Sequence, residues 1–135
     1  MADFNASSAR FAGTVDSLAP ARNFLRGYLI EAAWPGSDLD VVIAFGEIMQ
    51  NVVRHGFHGG RADGVMTVTA SIVEDRLIVV VDDDAPPSMA REWAGGDRPA
   101  HEGGLGLGIV NRIASKVGFE ATPYGNRAIL EFLPD

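Results

Sequence analysis

The clearest periodic pattern of apolar residues runs from Asp38 to Gly56. Polar residues on this stretch recur every four positions, at Glu47, Asn51 and His55. Because residues four apart lie one turn apart on a helix, these three side chains are predicted to form a stripe. A polar stripe faces either solvent or a ligand, and on its own it favours solvent. The opposite face of this predicted amphipathic helix is apolar, with residues at spacings of three and four: Val41, Phe45, Ile48 and Val52.

Weaker patterns divide the rest of the chain into two more helices and five strands. Helices are predicted at Leu18–Ala33 and Gly103–Val117, ended by Pro35 and Gly118. Residues 1–9 are predicted to form a loose arm. Alternating or continuous apolar runs predict the strands, at Arg10–Val15, Val65–Val73, Arg76–Val81, Phe119–Thr122 and Ala128–Phe132.

The order of these elements is strand, helix, helix, hairpin, long connection, helix and hairpin. Runs of strands alternating with runs of helices are typical of an α+β fold. We therefore predict a two-layer sandwich, in which a mixed, mostly antiparallel sheet is covered on one face by helices. No internal repeat or linker interrupts the chain, so residues 1–135 are predicted to form a single domain.

Composition narrows the classes of function. The chain is 47% apolar and 21% charged, as globular proteins are. Its formal net charge of −7 disfavours nucleic acid as a partner, because duplex affinity depends on cations placed against phosphates. No apolar run approaches the ~20 residues that span a membrane, and the N-terminus lacks a signal-peptide pattern. The absence of cysteine excludes disulfides and thiolate metal sites, and it fits a cytoplasmic protein.

The glycine-rich segment GGLGLG, from Gly103 to Gly108, opens the third predicted helix. Amides of a first helical turn have no intrahelical partner, and the helix dipole is positive there. Glycines let an anion approach those amides, so an acidic protein can hold phosphate here. No Gly-Lys-Ser/Thr follows, which excludes a Walker motif, and the position late in the chain does not fit a Rossmann fingerprint. Taken alone, a flexible loop with a glycine cap explains the segment equally well.

Three consecutive aspartates, Asp82 to Asp84, end a buried strand just before Pro86 and Pro87. Neighbouring carboxylates repel one another, so a compensating gain is expected. One can accept a hydrogen bond from an exocyclic amine, such as that of adenine, while another is solvated or caps a turn. Simple turn chemistry before the prolines is the alternative. Joint ligation of a metal by all three is disfavoured, because adjacent residues of a strand alternate faces.

The polar stripe on the second helix offers a different chemistry. Asn51 has a neutral oxygen of the kind that Mg²⁺ accepts as a ligand. Glu47 lies one turn earlier, near the same point, and can take a proton from an attacking hydroxyl or water. His55 is expected to close the helix end by hydrogen bonding rather than to act in catalysis.

In this order, the three segments resemble the GHKL ATP-binding domain (Bergerat fold, HATPase_c) of gyrase-type ATPases, the chaperone Hsp90 and histidine kinases. Glu47-x-x-x-Asn51-x-x-x-His55-Gly56 is similar to the family's N-box. IVVVDDDAPP is similar to the G1 strand and turn, and GGLGLGIV to the G2 box. The segment Ser88–Glu102 falls where the family has its ATP lid. The small size and the end of the second helix resemble most closely the bacterial anti-sigma-factor serine kinases of the RsbW and SpoIIAB type.

This resemblance implies a protein that binds a sigma factor and holds it inactive. It also implies a kinase that uses Mg²⁺-ATP to phosphorylate a serine of a small STAS-type antagonist, so that partner switching controls transcription. By this carry-over Glu47 is the general base and Asn51 holds Mg²⁺. Relatives tend to be homodimers, and an apolar sheet edge would permit one here. The implied ATP-binding residues are Asn51, His55, Asp83, Ala85, Gly103, Gly104, Leu105, Gly106, Leu107 and Gly108.

The register of the family's Asp-x-Gly pattern stays open at this stage. In one register Asp83 contacts adenine and Ala85 replaces the glycine. In the other, Asp82 contacts adenine and Asp84 stands in the glycine position. We prefer Asp83, because alanine replaces glycine at a small steric cost whereas aspartate there would face the ligand.

Two other functions remain as alternatives. The missing glycine allows a non-catalytic partner-binding module on the same fold, with weak or no nucleotide binding. The presence of Glu47 favours the kinase, because pure binding needs no base on this stripe. An ATPase fragment or a stand-alone histidine-kinase catalytic domain is the third hypothesis. The sequence contains no phosphoacceptor helix pair, which argues against a complete histidine kinase.

Overall fold

The computed structural model of this protein describes residues 4–86 and 104–134. The described residues contain three α-helices, namely α1 (Leu18–Glu31), α2 (Asp38–Asn51) and α3 (Gly104–Ile113). They also contain five strands, namely β1 (Phe4–Gly13), β2 (Arg61–Val73), β3 (Arg76–Asp83), β4 (Lys116–Thr122) and β5 (Gly125–Phe132). The predicted α+β class is confirmed. None of the helices in these ranges has the length and apolar character needed to cross a membrane.

The five described strands form one sheet in the order β1-β2-β3-β5-β4, and every neighbouring pair is antiparallel. β2 and β3 form the predicted hairpin. Its turn residues, Glu74 and Asp75, have φ values of 53° and 67°, as in the two-residue turns that match the twist of hairpin strands. Since β5 lies between β3 and β4, the start of β5 lies directly beside the end of β3.

One face of the sheet and the helices above it form the core. Ser37 begins α2 by accepting a hydrogen bond from the Asp40 amide at 3.1 Å, as an N-cap does. α2 contacts both α1 and α3, so it is the central helix of its layer. Fully buried side chains come from both layers: Leu25, Phe45, Ile48, Met66, Val68 and Ile72.

The predicted loose arm is wrong for residues 4–9, which belong to β1. This strand pairs with β2 along its length. The ring of Phe4 meets that of Tyr28 edge-on, with centroids 5.4 Å apart, and Phe11 contacts Phe24 at 6.3 Å. Hydrogen bonds from a distant strand and contacts with α1 therefore order a segment whose own sequence shows little strand pattern.

The third helix ends at Ile113, so the predicted extension to Val117 is wrong. Ser115 explains the early end, because its amide and its hydroxyl both donate to the carbonyl oxygen of Glu131, at 2.8 and 3.0 Å. These bonds join the chain to β5. Val117 then pairs with Leu130 as part of β4, where a β-branched side chain is well suited.

Candidate functional site

The three consecutive aspartates have three different environments. Asp82 pairs with Arg127, with 2.7 Å between its Oδ1 and the guanidinium Nε, on the sheet face away from the helices. Asp83 is on the helix-covered face and only 6% exposed. The Oδ1 atom of Asp84 accepts the amide of Val65 at 2.9 Å, which ties the end of β3 to β2. Because neighbouring strand residues alternate faces, only Asp83 points toward the helix layer.

Asp83 has one paired and one unpaired carboxylate oxygen. Its Oδ1 accepts hydrogen bonds from the Ala85 amide at 2.9 Å and from Asn126 Nδ2 at 3.1 Å. Its Oδ2 is buried and has no hydrogen-bond partner among the described residues. Burial raises the pKa of Asp83, and the hydrogen bonds from Asn126 and Ala85 lower it again in part. A buried acceptor without a donor is costly, so this oxygen is suited to receive a ligand hydrogen.

Ala85 occupies the position that the preferred register gives to the family's glycine. It is 1% exposed. It is absent from the non-glycine residues with positive φ, which in the described ranges are Ala33, His58, Glu74 and Asp75. Alanine therefore replaces glycine here without backbone strain. The role of Asp83 as the adenine contact stays a prediction, which its burial and unpaired oxygen support.

Two residues at the start of β5 belong to this site although the sequence analysis did not select them. The last strand was predicted to begin only at Ala128, whereas it already begins at Gly125. A Cβ on Gly125 would overlap the carbonyl oxygen of Asp83, so only glycine permits this approach. Asn126 is 1% exposed. Its polar character does not distinguish it in the sequence, because the next residue of the strand, Arg127, is polar as well.

The helix that carries the polar stripe changes geometry after Asn51. α2 ends there, and Val52–Gly56 forms a π-helical turn, so the predicted α-helix through Gly56 is wrong over these five residues. The amide of Phe57 donates to the carbonyl of Val52, five residues earlier, at 3.0 Å. Such turns often occur at functional sites. The wider turn displaces the half-buried His55 from the regular four-residue spacing of the stripe.

Phe57 is the residue that this turn positions. It is 3% exposed. A Cβ on Gly13 or on Gly64 would lie 2.6 Å from its ring, so both glycines make room for it. Packing of this ring between β1 and the start of β2 accounts for the wider last turn of the helix.

Glu47 and Asn51 have different surroundings although both lie on α2. Asn51 is 5% exposed. Glu47 is half-buried and lines an open groove of about 380 Å³ between α1 and α2. Arg22 of α1 lines the same groove, and Gly46 removes a side chain from it. The carboxylate of Glu47 is therefore accessible from solvent, as a general base for an incoming hydroxyl must be.

The glycine-rich segment forms the beginning of α3, as the sequence predicts. Gly104, Leu105 and Gly106 lie in its first turn, where amides lack intrahelical partners. Gly108 lies in the second turn, where the helix itself supplies a carbonyl acceptor four residues earlier. Leu107 packs into the core at 7% exposure, whereas Ile109 is 40% exposed. Gly103 and the predicted lid segment Ser88–Glu102 lie outside the described residues.

The chain is similar to known proteins in sequence and in fold. The sequence profile of the family described as histidine kinase-like ATPase domain matches residues 11–132. Serine-protein kinase RsbW of Halalkalibacterium halodurans is 34% identical over 87 aligned residues, a match that covers 58% of this chain and 52% of that protein. The chain thus spans about half the length of this relative.

Two solved structures share the fold. The catalytic domain of histidine kinase ThkA superposes with a TM-score of 0.60 and 16% identity, covering 95% of this chain and 96% of that one. The histidine kinase domain of the blue-light activated histidine kinase from Erythrobacter litoralis EL346 gives 0.52 and 21%, covering 69% and 42%. At these identities the likeness shows the fold alone. The profile match, which covers most of the chain, shows that this protein belongs to the histidine kinase-like ATPase domain family.

Proposed function

We propose that this protein is an anti-sigma factor and an ATP-dependent serine kinase, whose substrate is a serine of a STAS-type antagonist protein. The observation that carries the proposal is the separation of two acidic residues. Asp83 is buried with an unpaired oxygen, which suits a contact with the adenine ring. Glu47 lines an open groove, which suits proton transfer from a protein hydroxyl. The partial match to the serine-protein kinase RsbW supports the same substrate class.

The nucleotide would be held from three sides. Asp83 accepts a hydrogen bond from adenine through its unpaired Oδ2, and Ala85 lies beside it. The amides at the start of α3 bind phosphate oxygens, since the segment GGLGLG contains no basic side chain. His55 supports the end of the helix that carries Asn51.

Mg²⁺ would be bound by Asn51 together with phosphate oxygens and water. Mg²⁺ in nucleotide sites usually takes only one or two protein ligands. In the described ranges no group of three or more His, Asp or Glu side chains is placed to hold a metal ion. The residues therefore fit a metal that arrives with the phosphates rather than one held permanently by the protein. When bound, it neutralises phosphate charge.

Glu47 is the residue of this chain that acts in the phosphate transfer. The serine oxygen attacks the terminal phosphorus of ATP, and the bond from that phosphorus to ADP breaks. Glu47 takes the hydroxyl proton as the new oxygen–phosphorus bond forms. The groove beside Glu47 also contains Arg22 and the exposed apolar surface of Ile43, so it offers the substrate protein both a charge and an apolar contact.

Partner binding would use the same helical layer. Arg22 and Arg26 of α1 form a candidate docking face, because Arg26 is exposed and Arg22 lines the groove. A sigma factor and the antagonist that compete for this face would produce partner switching. In this proposal residues 1–135 form one domain. The protein acts in the cytoplasm and does not contact nucleic acid directly. A homodimer through a sheet edge fits this proposal.

The proposal is tested by incubating the protein with γ-labelled ATP, Mg²⁺ and a candidate STAS-type antagonist protein. Label on a serine of that protein is the expected result. Binding of a sigma factor without any transfer would instead support the non-catalytic module. Label on the protein's own histidines would support a histidine kinase. Gln50→Ala is the matched control for substitution of Glu47, because Gln50 is exposed and lines the same groove without a titratable group.

A further inference from the structure

Two neighbouring cross-strand pairs of β3 and β5 lie on opposite faces of the sheet. Asp83 is paired with Asn126 on the helix-covered face, and Asp82 is paired with Arg127 on the face away from the helices. The Nε atom of Arg127 is 2.7 Å from Oδ1 of Asp82, and its Nη2 atom is 3.5 Å from Oδ2. An ion pair on one face is therefore a single residue away from the buried carboxylate on the other.

The charge of Asp82 acts on Asp83 because the two residues are adjacent. Their Cα atoms are about 3.8 Å apart, and a nearby negative charge disfavours ionisation of a carboxyl group. Burial is the main cause that raises the pKa of Asp83, and the charges of Asp84 and Asp82 raise it further. Asp84 accepts a backbone amide, whereas Asp82 is paired with a guanidinium that can neutralise its charge.

The other elements packed against Asp83 present mainly uncharged groups among the described residues. β2 places a methionine opposite it, and the first two turns of α3 contain only glycine and apolar residues. On the central helix Asn51 is neutral, Glu47 lines the groove toward α1, and the titratable His55 follows in the π-helical turn. In the described ranges, the charges that act on the pKa of Asp83 are those of Asp82 and Asp84.

Arg127 stays protonated beside these acids. The hydrogen bond and the charge of Asp82 raise the pKa of its guanidinium above the usual range, and Glu120 of β4 lies 3.9 Å from its Nη1 atom. We propose that Arg127 is a positioning residue of the nucleotide site, which neutralises Asp82 so that the neighbouring Asp83 keeps its negative charge. A protonated carboxyl donates from one oxygen, so the ionised form is the better acceptor for a ligand hydrogen.

This inference rests on the proposed nucleotide-binding function and adds to it an electrostatic influence from the opposite face of the sheet. The side chains of Arg127 and Asp82 are 43% and 34% exposed, so solvent and salt weaken the influence without removing it. Nucleotide affinity should fall as the pH is lowered through the pKa of Asp83, because the acceptor is then protonated. Arg127 should determine at which pH this fall occurs.

The test measures the pKa of Asp83 by carboxyl-carbon NMR and the affinity for ADP in Mg²⁺ by titration calorimetry, both against pH. In Arg127→Ala the charge of Asp82 is no longer neutralised, so both midpoints should move up by about 0.5 pH unit or more. Well above these midpoints ADP affinity should match wild type. Asp82→Asn removes the negative charge itself, so its midpoints should move down. The double variant Asp82→Asn/Arg127→Ala should lack the upward shift.

Arg76→Ala is the matched control. Arg76 joins the same two strands near their other ends, 3.3 Å from Glu131, so its loss should leave both midpoints unchanged. Arg127→Lys keeps the positive charge and should keep the wild-type midpoints. Circular dichroism checks folding. Arg127→Gln is used if Arg127→Ala does not fold, and the direction of the shift in Asp82→Asn decides if neither does.

The outcomes separate this inference from the function on which it rests. If Arg127→Ala and Asp82→Asn both lowered ADP affinity equally at every pH, the ion pair would only hold the strands together and the inference would be wrong. A pKa of Asp83 that is unchanged in Arg127→Ala would also overturn it. Absence of ADP binding in the wild-type protein would overturn the proposed function, while the NMR midpoints would still show whether Arg127 acts on Asp83.

Discussion

Gly125 lies so close to the end of β3 that a Cβ on it would overlap the carbonyl oxygen of Asp83 and lie 2.8 Å from the Cα of Asp84. The two strand ends therefore meet at a distance that no side chain at position 125 permits. This approach brings the next residue, Asn126, within hydrogen-bonding distance of the Asp83 carboxylate. The geometry of the proposed adenine-binding site therefore depends on Gly125.

Gly125→Ala is expected to lower the free energy of unfolding by about 1–3 kcal/mol, because strands β3 and β5 must separate to admit the methyl group. Nucleotide affinity should fall with it, since the Asn126–Asp83 bond is lost. Urea unfolding and ADP titration measure the two effects. Gly118→Ala on β4 is the matched control, because a Cβ there meets nothing within 4 Å. Equal behaviour of the two variants would contradict the close approach.

Glu47→Gln should reduce phosphate transfer to the antagonist by about 10²- to 10⁴-fold, the usual contribution of a general base. ATP affinity should stay close to wild type, because Glu47 lines the groove and is not part of the proposed adenine-binding site. Sigma-factor binding should also stay close to wild type, because glutamine keeps the size and hydrogen-bonding capacity of the side chain in the groove. Single-turnover transfer and titration calorimetry distinguish these quantities. If both kinds of binding were lost together with transfer, Glu47 would have a structural role.

Asn51→Ala should weaken ATP binding in Mg²⁺ by about tenfold or more, because the proposed metal ligand is removed. The same variant should bind nucleotide about as well as wild type when Mg²⁺ is chelated. The measurement is an ATP titration of both proteins in Mg²⁺, with and without EDTA. Thermal unfolding is the control for stability, since Asn51 is only 5% exposed. A nucleotide affinity that the substitution does not change in Mg²⁺ would eliminate this role.

The pKa of Asp83 makes a prediction about stability. Burial is the main cause that raises this pKa above the usual 3.8. Between the pKa of the unfolded chain and the higher pKa of the folded protein, the folded state binds more protons. The stability contribution of Asp83 is therefore complete below the unfolded pKa and is lost as pH rises through the folded pKa. At neutral pH the buried charge lowers stability.

Asp83→Asn should accordingly raise the urea midpoint at neutral pH, and this gain should disappear as pH falls below the unfolded pKa. The substitution keeps an Oδ1 acceptor for Ala85 and Asn126 but presents an amide nitrogen to the base, so ADP affinity should fall. Asp63→Asn is a control at a 78% exposed side chain, where an exposed ion pair contributes little. A midpoint difference that is the same at every pH would show that the carboxylate of Asp83 is not desolvated.

Several parts of the candidate site were predictable from local sequence. The spacing of Val41, Phe45 and Ile48 predicts the buried face of α2 because helical periodicity depends only on near neighbours. The alternation in β2 and the turn at Glu74 and Asp75 are local in the same sense. The ordered set of N-box, G1 and G2 segments indicated the family, and the profile match over residues 11–132 confirms it.

Other features depend on partners far away in the chain. β1 is ordered by hydrogen bonds to β2 and by ring contacts with α1, which its own residues do not reveal. The π-helical turn after Asn51 accompanies the burial of Phe57 against Gly13 and Gly64, two glycines from different strands. The helix pattern alone predicted a regular α-helix there, because periodicity does not detect packing of one ring against distant backbone.

The sequence by itself determined that a polar strand end, a glycine-rich helix start and a polar helix stripe exist in this order. Local spacing and residue type are enough for that, and they also indicated the family. Only the tertiary structure decided which aspartate faces the helix layer and which residue donates a hydrogen bond to its carboxylate. Asp83 and Asn126 are 43 residues apart in the chain and are joined only when β5 pairs with β3. No pattern within either strand encodes that register, because it results from the packing of the whole sheet.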